Sequence, residues 1–110
     1  MNKHDKKLMI VETAYPFSTR NVDPAGNILG IDAAVPGIEI SPEGQLEYLL
    51  ELEKEVFEAG ADGIVYWEPA WVSTSCSTQW GQGSHWDNAT LFDNDKKANE
   101  GMKFYRESLK

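Results

Sequence analysis

Apolar residues run without a break from Leu8 to Val11. An unbroken run of this length is typical of a strand covered on both faces, so we expect a buried strand over Lys7 to Thr13. From Tyr15 to Ile40 the pattern dissolves, with Pro16, Pro24, Gly26, Gly30, Pro36 and Gly37 interrupting any period. Loops of that length in compact domains usually carry function. A helical period then starts abruptly at Ser41-Pro42. A hydroxyl at N-cap, proline at N1 and Glu43 in the first turn make a strong helix start. Leu46, Leu49, Leu50, Val56 and Phe57 form the expected buried stripe, while Glu51, Lys54, Glu55 and Glu58 form a solvated face. Gly60 is the expected terminator. Ala61 to Trp67 is the second strand, followed by a loop rich in Ser, Gly and Trp to about Asp95. Asn99 caps a last expected helix with Met102, Tyr105 and Leu109 on one side. Strand, helix, strand predicts a right-handed βαβ crossover with a parallel pair. Two strands leave both sheet edges open, so the pattern predicts a piece of a larger α/β fold.

Charge removes some partners. The net charge is −8, from 18 acidic against 10 basic residues, which argues against nucleic acid and against an anionic membrane surface. The basic residues cluster at Lys3, Lys6 and Lys7 and at Lys96 and Lys97, short groups that read as solvated charge. No stretch approaches the ~18 apolar residues of a membrane span. The four residues Leu8 to Val11, followed by Glu12, do not read as the apolar region of a signal peptide. Cys76 is the single cysteine and reads as a bland loop residue. His4 and His85 lack a partner at metal spacing, and the sequon Asn88-Ala89-Thr90 reads as coincidental.

The two expected strands end in Glu12-Thr13-Ala14-Tyr15-Pro16 and Tyr66-Trp67-Glu68-Pro69-Ala70-Trp71. A carboxylate at a strand tip suits a nucleophile, because a rigid element fixes its line of approach. It equally suits a strand-end ion pair with a lysine or arginine. An indole face packs on the C–H face of a sugar and excludes water, and it also packs beneath loops. Trp67, Trp71, Trp80 and Trp86 are open to both readings.

At these residues the chain resembles the endo-β-1,4-galactanases (arabinogalactan endo-β-1,4-galactosidases) of glycoside hydrolase family 53. The resemblance rests on Met9-Ile-Val-Glu-Thr-Ala-Tyr-Pro16, Ser41-Pro-Glu-Gly-Gln45, Gly63-Ile-Val-Tyr-Trp-Glu-Pro-Ala-Trp71 and Asp87-Asn-Ala-Thr-Leu-Phe-Asp93, in the family's order. It implies that residues 1–110 are one partial domain, the C-terminal part of a TIM (β/α)8 barrel of ~250 residues, with Leu8 to Thr13 as strand seven and Ala61 to Trp67 as strand eight. Met1 would lie within a longer gene or start a truncated one, with any signal peptide upstream; the parent family is secreted or periplasmic.

The resemblance further implies a retaining glycosidase of β-1,4-galactan or arabinogalactan side chains, with Glu12 as nucleophile. It implies sugar binding by Trp67, with Trp71, Trp86 and Tyr15 as further substrate-binding candidates. The family's acid/base is a glutamate after an asparagine near the end of strand four. Asn99-Glu100 is the one such pair here, at a helix start, and does not match. The chain is therefore expected to need the missing N-terminal barrel portion and to be inactive alone. The resemblance also implies a structural calcium ion held by Asp23, Ala25, Asn27, Ser84 and Asp87. The spacings Asp23-x-x-x-Asn27 and Ser84-x-x-Asp87 carry it, with Ala25 serving through its carbonyl where the family often has histidine. Two readings of other classes stand beside it. One is a non-catalytic carbohydrate-binding module, which would be a β-sandwich; the other is a small α/β interaction domain packing against a partner.

Overall fold

In the computed structural model, residues 4–107 are described. The first strand, β1, spans Met9–Thr13. The helix α1 spans Pro42–Glu58, and β2 spans Gly63–Tyr66. Strands β1 and β2 pair in parallel with Met9 opposite Gly63, Ile10 opposite Ile64 and Thr13 opposite Tyr66. The expected strand–helix–strand order is present, and the β-sandwich alternative does not fit it. At the opposite end from the tips, the pair is tied by Leu8 N–H to Asp62 Oδ2 (3.0 Å) and Asp62 N–H to the Leu8 carbonyl (2.7 Å).

The ends of α1 follow the local chemistry of the sequence. The Ser41 hydroxyl accepts from Gly44 N–H at 2.9 Å, with Pro42 at the first helical position. At the other end Gly60 has φ +89°. Gly60 N–H donates to the Phe57 carbonyl and Ala61 N–H to the Val56 carbonyl, the paired bonds of a Schellman motif. Leu49, Tyr66, Leu91 and Phe104 make the core, flanked by Leu46, Leu50, Ile64 and Met102. The closing segment is a 3-10 turn, Glu100–Lys103, capped by the Asn99 side chain and continued by the short helix α2, Phe104–Glu107.

Several expectations need correction. Strand β1 is not buried: Val11 is 67% exposed and Met9 52%. A helix covers only one side of a two-stranded sheet, so the other face and both edges stay open. Phe57 is exposed rather than in the α1 stripe, because the row facing the core is Gln45, Leu49, Glu53 and Val56. In the closing segment Phe104 is buried and Tyr105 is exposed, since the 3-10 turn shifts the phase of the face; Leu109 lies outside the described residues. The long second loop contains a small hairpin, with β3 at Ser77–Thr78 and β4 at Gly81–Gln82. No helix among the described residues is long and apolar enough to cross a membrane.

Candidate functional site

Both strand tips lie at one end of the parallel pair. Trp67 N–H donates to the Thr13 carbonyl at 2.8 Å, so the residue after β2 is clamped to the last residue of β1. Between Ile10 and Thr13 the register gains one residue on β1 relative to β2. Such a bulge re-aims the side chains that follow it. Its effect is visible in Thr13, whose hydroxyl meets the Tyr48 hydroxyl of α1 at 2.9 Å. Thr13 thus faces the helix, and Glu12 beside it faces the other way, exposed. Glu12 lines an open cavity of about 220 Å³ with Thr13, Ala14, Leu29, Trp67 and Trp86. Glu12 and Trp67 are therefore brought to one surface, and Glu12 is the one carboxylate among the described residues lining it.

Trp67 is 43% exposed and also lines a second cavity with Trp71, Trp80, Glu68, His85 and Ile28. Trp86 is only 8% exposed, and its Nε1–H donates to the Trp67 carbonyl at 3.0 Å. It ties down the Trp67 backbone and lines the Glu12 cavity, rather than standing exposed as an outer platform. Tyr15, expected to contact substrate, is 1% exposed. Its hydroxyl donates to the Ile38 carbonyl (2.8 Å) and accepts from Val35 N–H (3.1 Å), and its ring stacks on Tyr48 with centroids 4.6 Å apart. The geometry makes it a fastener for the first long loop. Glu100 is paired with Lys103 at 2.6 Å on the closing turn.

A buried polar hub that we did not anticipate from the sequence fixes the tips. Gln45 of α1 is fully buried, and its amide nitrogen reaches the carbonyls of Tyr15 (2.9 Å) and Thr90 (3.0 Å). The Tyr66 hydroxyl accepts from Tyr15 N–H at 3.1 Å and donates to the Ala89 carbonyl at 2.5 Å. Burial pushes the Tyr66 phenol up, so it stays a donor. The helix thus holds the chain after Glu12 and the far end of the second loop at once. The available signal was a glutamine in the apolar row, four residues before Leu49.

The five residues expected at a calcium ion come from both loops. The Asp23 carboxylate accepts from Ser84 N–H (2.7 Å) and Ala25 N–H (2.9 Å), joining the loops directly. It is packed against Gly83, where φ is +94° and an added Cβ would lie 2.6 Å from the carboxylate. Both Asp87 carboxylate oxygens and Asn27 Oδ1 are buried with no hydrogen-bond partner among the described residues. Unsatisfied buried oxygens of this kind are costly unless a cation or its water meets them. The donor set of carboxylates, amide oxygen and backbone carbonyl suits calcium. Ser84 Oγ is already engaged, accepting from Trp86 N–H and donating to the Trp71 carbonyl, which makes the Ser84 carbonyl the freer oxygen for a cation. Burial pushes Asp87 up to about 6, with the neighbouring Asp23 adding to it; the amides of Val22 and Asn88 oppose this without closing a hydrogen bond. Burial also acts to raise Asp23, but hydrogen bonds from Ser73, Ser84 and Ala25, with His85 nearby, outweigh it and hold that carboxyl below its usual range. Asn88 of the sequon is 2% exposed, and its nitrogen donates to the Ser18 and Leu29 carbonyls.

Residues 1–105 match the family described as Glycosyl hydrolase family 53. The chain is 56% identical over 98 residues to an arabinogalactan endo-beta-1,4-galactanase of Cellvibrio japonicus, covering 89% of this chain and 26% of that protein. It is 31% identical over 80 residues to an endo-beta-1,4-galactanase of Bacillus subtilis, covering 71% of this chain and 19% of that one. Among solved structures it superposes on the Ignisphaera aggregans GH53 catalytic domain with a TM-score of 0.87 and 31% identity, over 99% of this chain and 32% of that chain. The chain thus spans about a quarter or less of the length of these curated relatives, and its mixed α/β fold corresponds to part of that catalytic domain.

Proposed function

The chain belongs to glycosyl hydrolase family 53, and from that premise we propose that it supplies the nucleophile-bearing part of a retaining endo-β-1,4-galactanase. In this reading β1 and β2 are strands seven and eight of a (β/α)8 barrel, and the substrate is β-1,4-galactan or arabinogalactan side chains. The parent enzyme acts outside the cytoplasm, secreted or periplasmic. The observation that carries the reading is the convergence of Glu12 and Trp67 on one cavity at the C-terminal ends of parallel strands. That is the end where barrel enzymes keep their chemistry.

Glu12 attacks the anomeric carbon of the galactosyl unit lying on Trp67. The bond to the leaving oxygen breaks as an acid protonates it, leaving a galactosyl ester on Glu12. Water, deprotonated by that same second group, then cleaves the ester and restores the original anomer. A retaining pair stands ~5–5.5 Å apart, and the cavity holds no second carboxylate among the described residues. Glu68 faces the neighbouring cavity and Glu100 the closing turn. The acid therefore comes from the N-terminal portion of the barrel, which this chain needs for turnover.

The test is a graft. On β-1,4-galactan the chain alone is expected to release no reducing ends. Grafted in place of the matching part of the Cellvibrio japonicus galactanase, it is expected to support hydrolysis, with the first product formed in the β configuration by NMR. Turnover by the chain alone, or a folded but dead graft, would contradict the proposal.

We also propose that calcium binds Asp23, Asn27, Asp87 and the carbonyls of Ala25 and Ser84, where it cross-links the two long loops. Calcium added after chelation should raise the melting temperature, by about 2.7 kcal/mol of stabilisation at a hundredfold excess over Kd. The sign with pH follows from Asp87. Its carboxyl is raised when folded, so without metal its unfavourable effect grows as pH rises from about 4 to about 6 and is fully present above that. Calcium favours the ionised form. The melting shift should therefore be larger at pH 7.5 than at pH 5, and Asp87→Asn should remove it. A shift that is absent, or equal at both pH values, would count against the site.

A further inference from the structure

The β1–β2 ladder does not by itself aim the Glu12 side chain. Regular pairing stops at Ile10, opposite Ile64, and resumes at Thr13, opposite Tyr66, so Glu12 lies within the irregular stretch between them. Among the described residues its carboxylate has no hydrogen-bond or ion-pair partner. Its direction within this chain is therefore set by the backbone on either side, and the first anchored side chain after it is Thr13. We propose that Tyr48, on α1, is a positioning residue for the nucleophile: it holds Thr13 to the helix and so keeps Glu12 turned to the cavity. The proposal rests on the reading of Glu12 as the nucleophile and adds what aims it.

Three observations carry it. The Thr13 and Tyr48 hydroxyls lie 2.9 Å apart, joining positions 35 residues distant in sequence. The Tyr48 ring also stacks on Tyr15, with centroids 4.6 Å apart and planes 15° from parallel. One side chain thus grips both the residue next to Glu12 and the residue two further on. The support behind it is rigid. Tyr48 packs against the core of Leu49, Tyr66, Leu91 and Phe104. It stands one helical turn from Gln45, whose amide holds the Tyr15 carbonyl at 2.9 Å.

Side chains alternate between the two faces of a strand. With Thr13 turned to α1, Glu12 is turned to the open side, where it lines the cavity with Trp67. Releasing Thr13 loosens the backbone that carries the carboxylate, and a misplacement of ~1 Å in a reacting group can cost on the order of 100-fold in rate. Tyr48 itself does not line that cavity, so its hydroxyl acts on the aim of Glu12 and not on the sugar.

The experiment uses the grafted enzyme. Tyr48→Phe removes one hydroxyl and keeps the ring; Thr13→Val removes the other at nearly the same shape. Each should lower kcat on β-1,4-galactan about tenfold or more with KM within about twofold of wild type. Each should also melt lower, because one hydroxyl is left without its partner. Thr13→Ser keeps the hydroxyl and should keep most of kcat. The double variant Thr13→Val/Tyr48→Phe separates aiming from mere support. With both hydroxyls gone no polar group is stranded, so its melting temperature should climb above that of either single variant. Its kcat should stay as low as theirs, because the link that aims Glu12 is still missing. A kcat that recovers together with the melting temperature, or that is unchanged in Tyr48→Phe, overturns the proposal and leaves the galactanase reading intact. A wild-type graft that folds but is inactive overturns the two together.

Discussion

Glu12→Gln in the grafted enzyme is expected to lower kcat on galactan by on the order of 10⁴-fold or more, because it removes the atom that forms the covalent bond. The amide is nearly isosteric, so the cavity with Trp67 and the clamp between Trp67 N–H and the Thr13 carbonyl should survive. KM should therefore change little while kcat collapses. A companion variant, Glu12→Ala, opens room for a small external nucleophile. Sodium azide should restore turnover and give an α-galactosyl azide, since attack then comes from the side that Glu12 occupied. A loss of only tenfold, or no azide product, would move the nucleophile elsewhere and dismantle the mechanism.

The largest structural effect is expected at Gln45. Its amide nitrogen lies within hydrogen-bonding distance of the Tyr15 and Thr90 carbonyls and also near the Tyr66 hydroxyl. Gln45→Leu keeps the size and removes the donor, leaving the Tyr15 carbonyl to a Tyr66 hydroxyl shared with the Ala89 carbonyl and the Thr90 carbonyl to a 3.4 Å contact from the Asn99 amide. Depriving a buried acceptor of its donor costs about 1–3 kcal/mol, and two lose their shorter bond at once, so a loss of about 3 kcal/mol is expected. In a chain of this size that lowers the melting temperature by more than about 10 °C. The loss should be separable from the chemistry. In the graft, where the rest of the barrel supports the fold, Gln45→Leu should lower kcat by loosening the residues that follow Glu12. A melting temperature within 2 °C of wild type, a bound set by the usual spread of surface substitutions, would show that the hub is not what holds the tips.

What could be read from the sequence was what local chemistry decides. Ser41-Pro42 and Gly60 mark the ends of α1 because a capping hydroxyl, a fixed proline φ and a left-handed glycine act within a few residues. The parallel pair follows from the intervening helix, and the tip motifs mark the two strand ends that meet on one surface. What escaped was decided at a distance. The apolar run at Val11 reads as buried, yet among the described residues no element packs on that face of β1. Tyr15 looks like a sugar contact in the sequence yet is buried, and Trp86 lines the Glu12 cavity while only 8% exposed; only the packed loops reveal either. Trp80 gave no directional signal, because the β3–β4 hairpin is two residues on each side and too short to show a period. The spacing that suggests a calcium site was legible, but the engaged hydroxyl of Ser84 was not.

The extra residue in β1 has a consequence for how this tip tolerates change. Side chains along a strand alternate, so parity decides which of two neighbours looks into the cleft and which looks at the helix. The irregularity between Ile10 and Thr13 resets that parity just before the carboxylate. With Thr13 held opposite Tyr66, losing Val11 would restore plain alternation and leave the outlooks of Glu12 and Thr13 as they are, whereas the same residues paired without the irregularity would turn Glu12 towards the helix. The partner of Thr13, more than the number of residues before it, is what this short stretch has to keep.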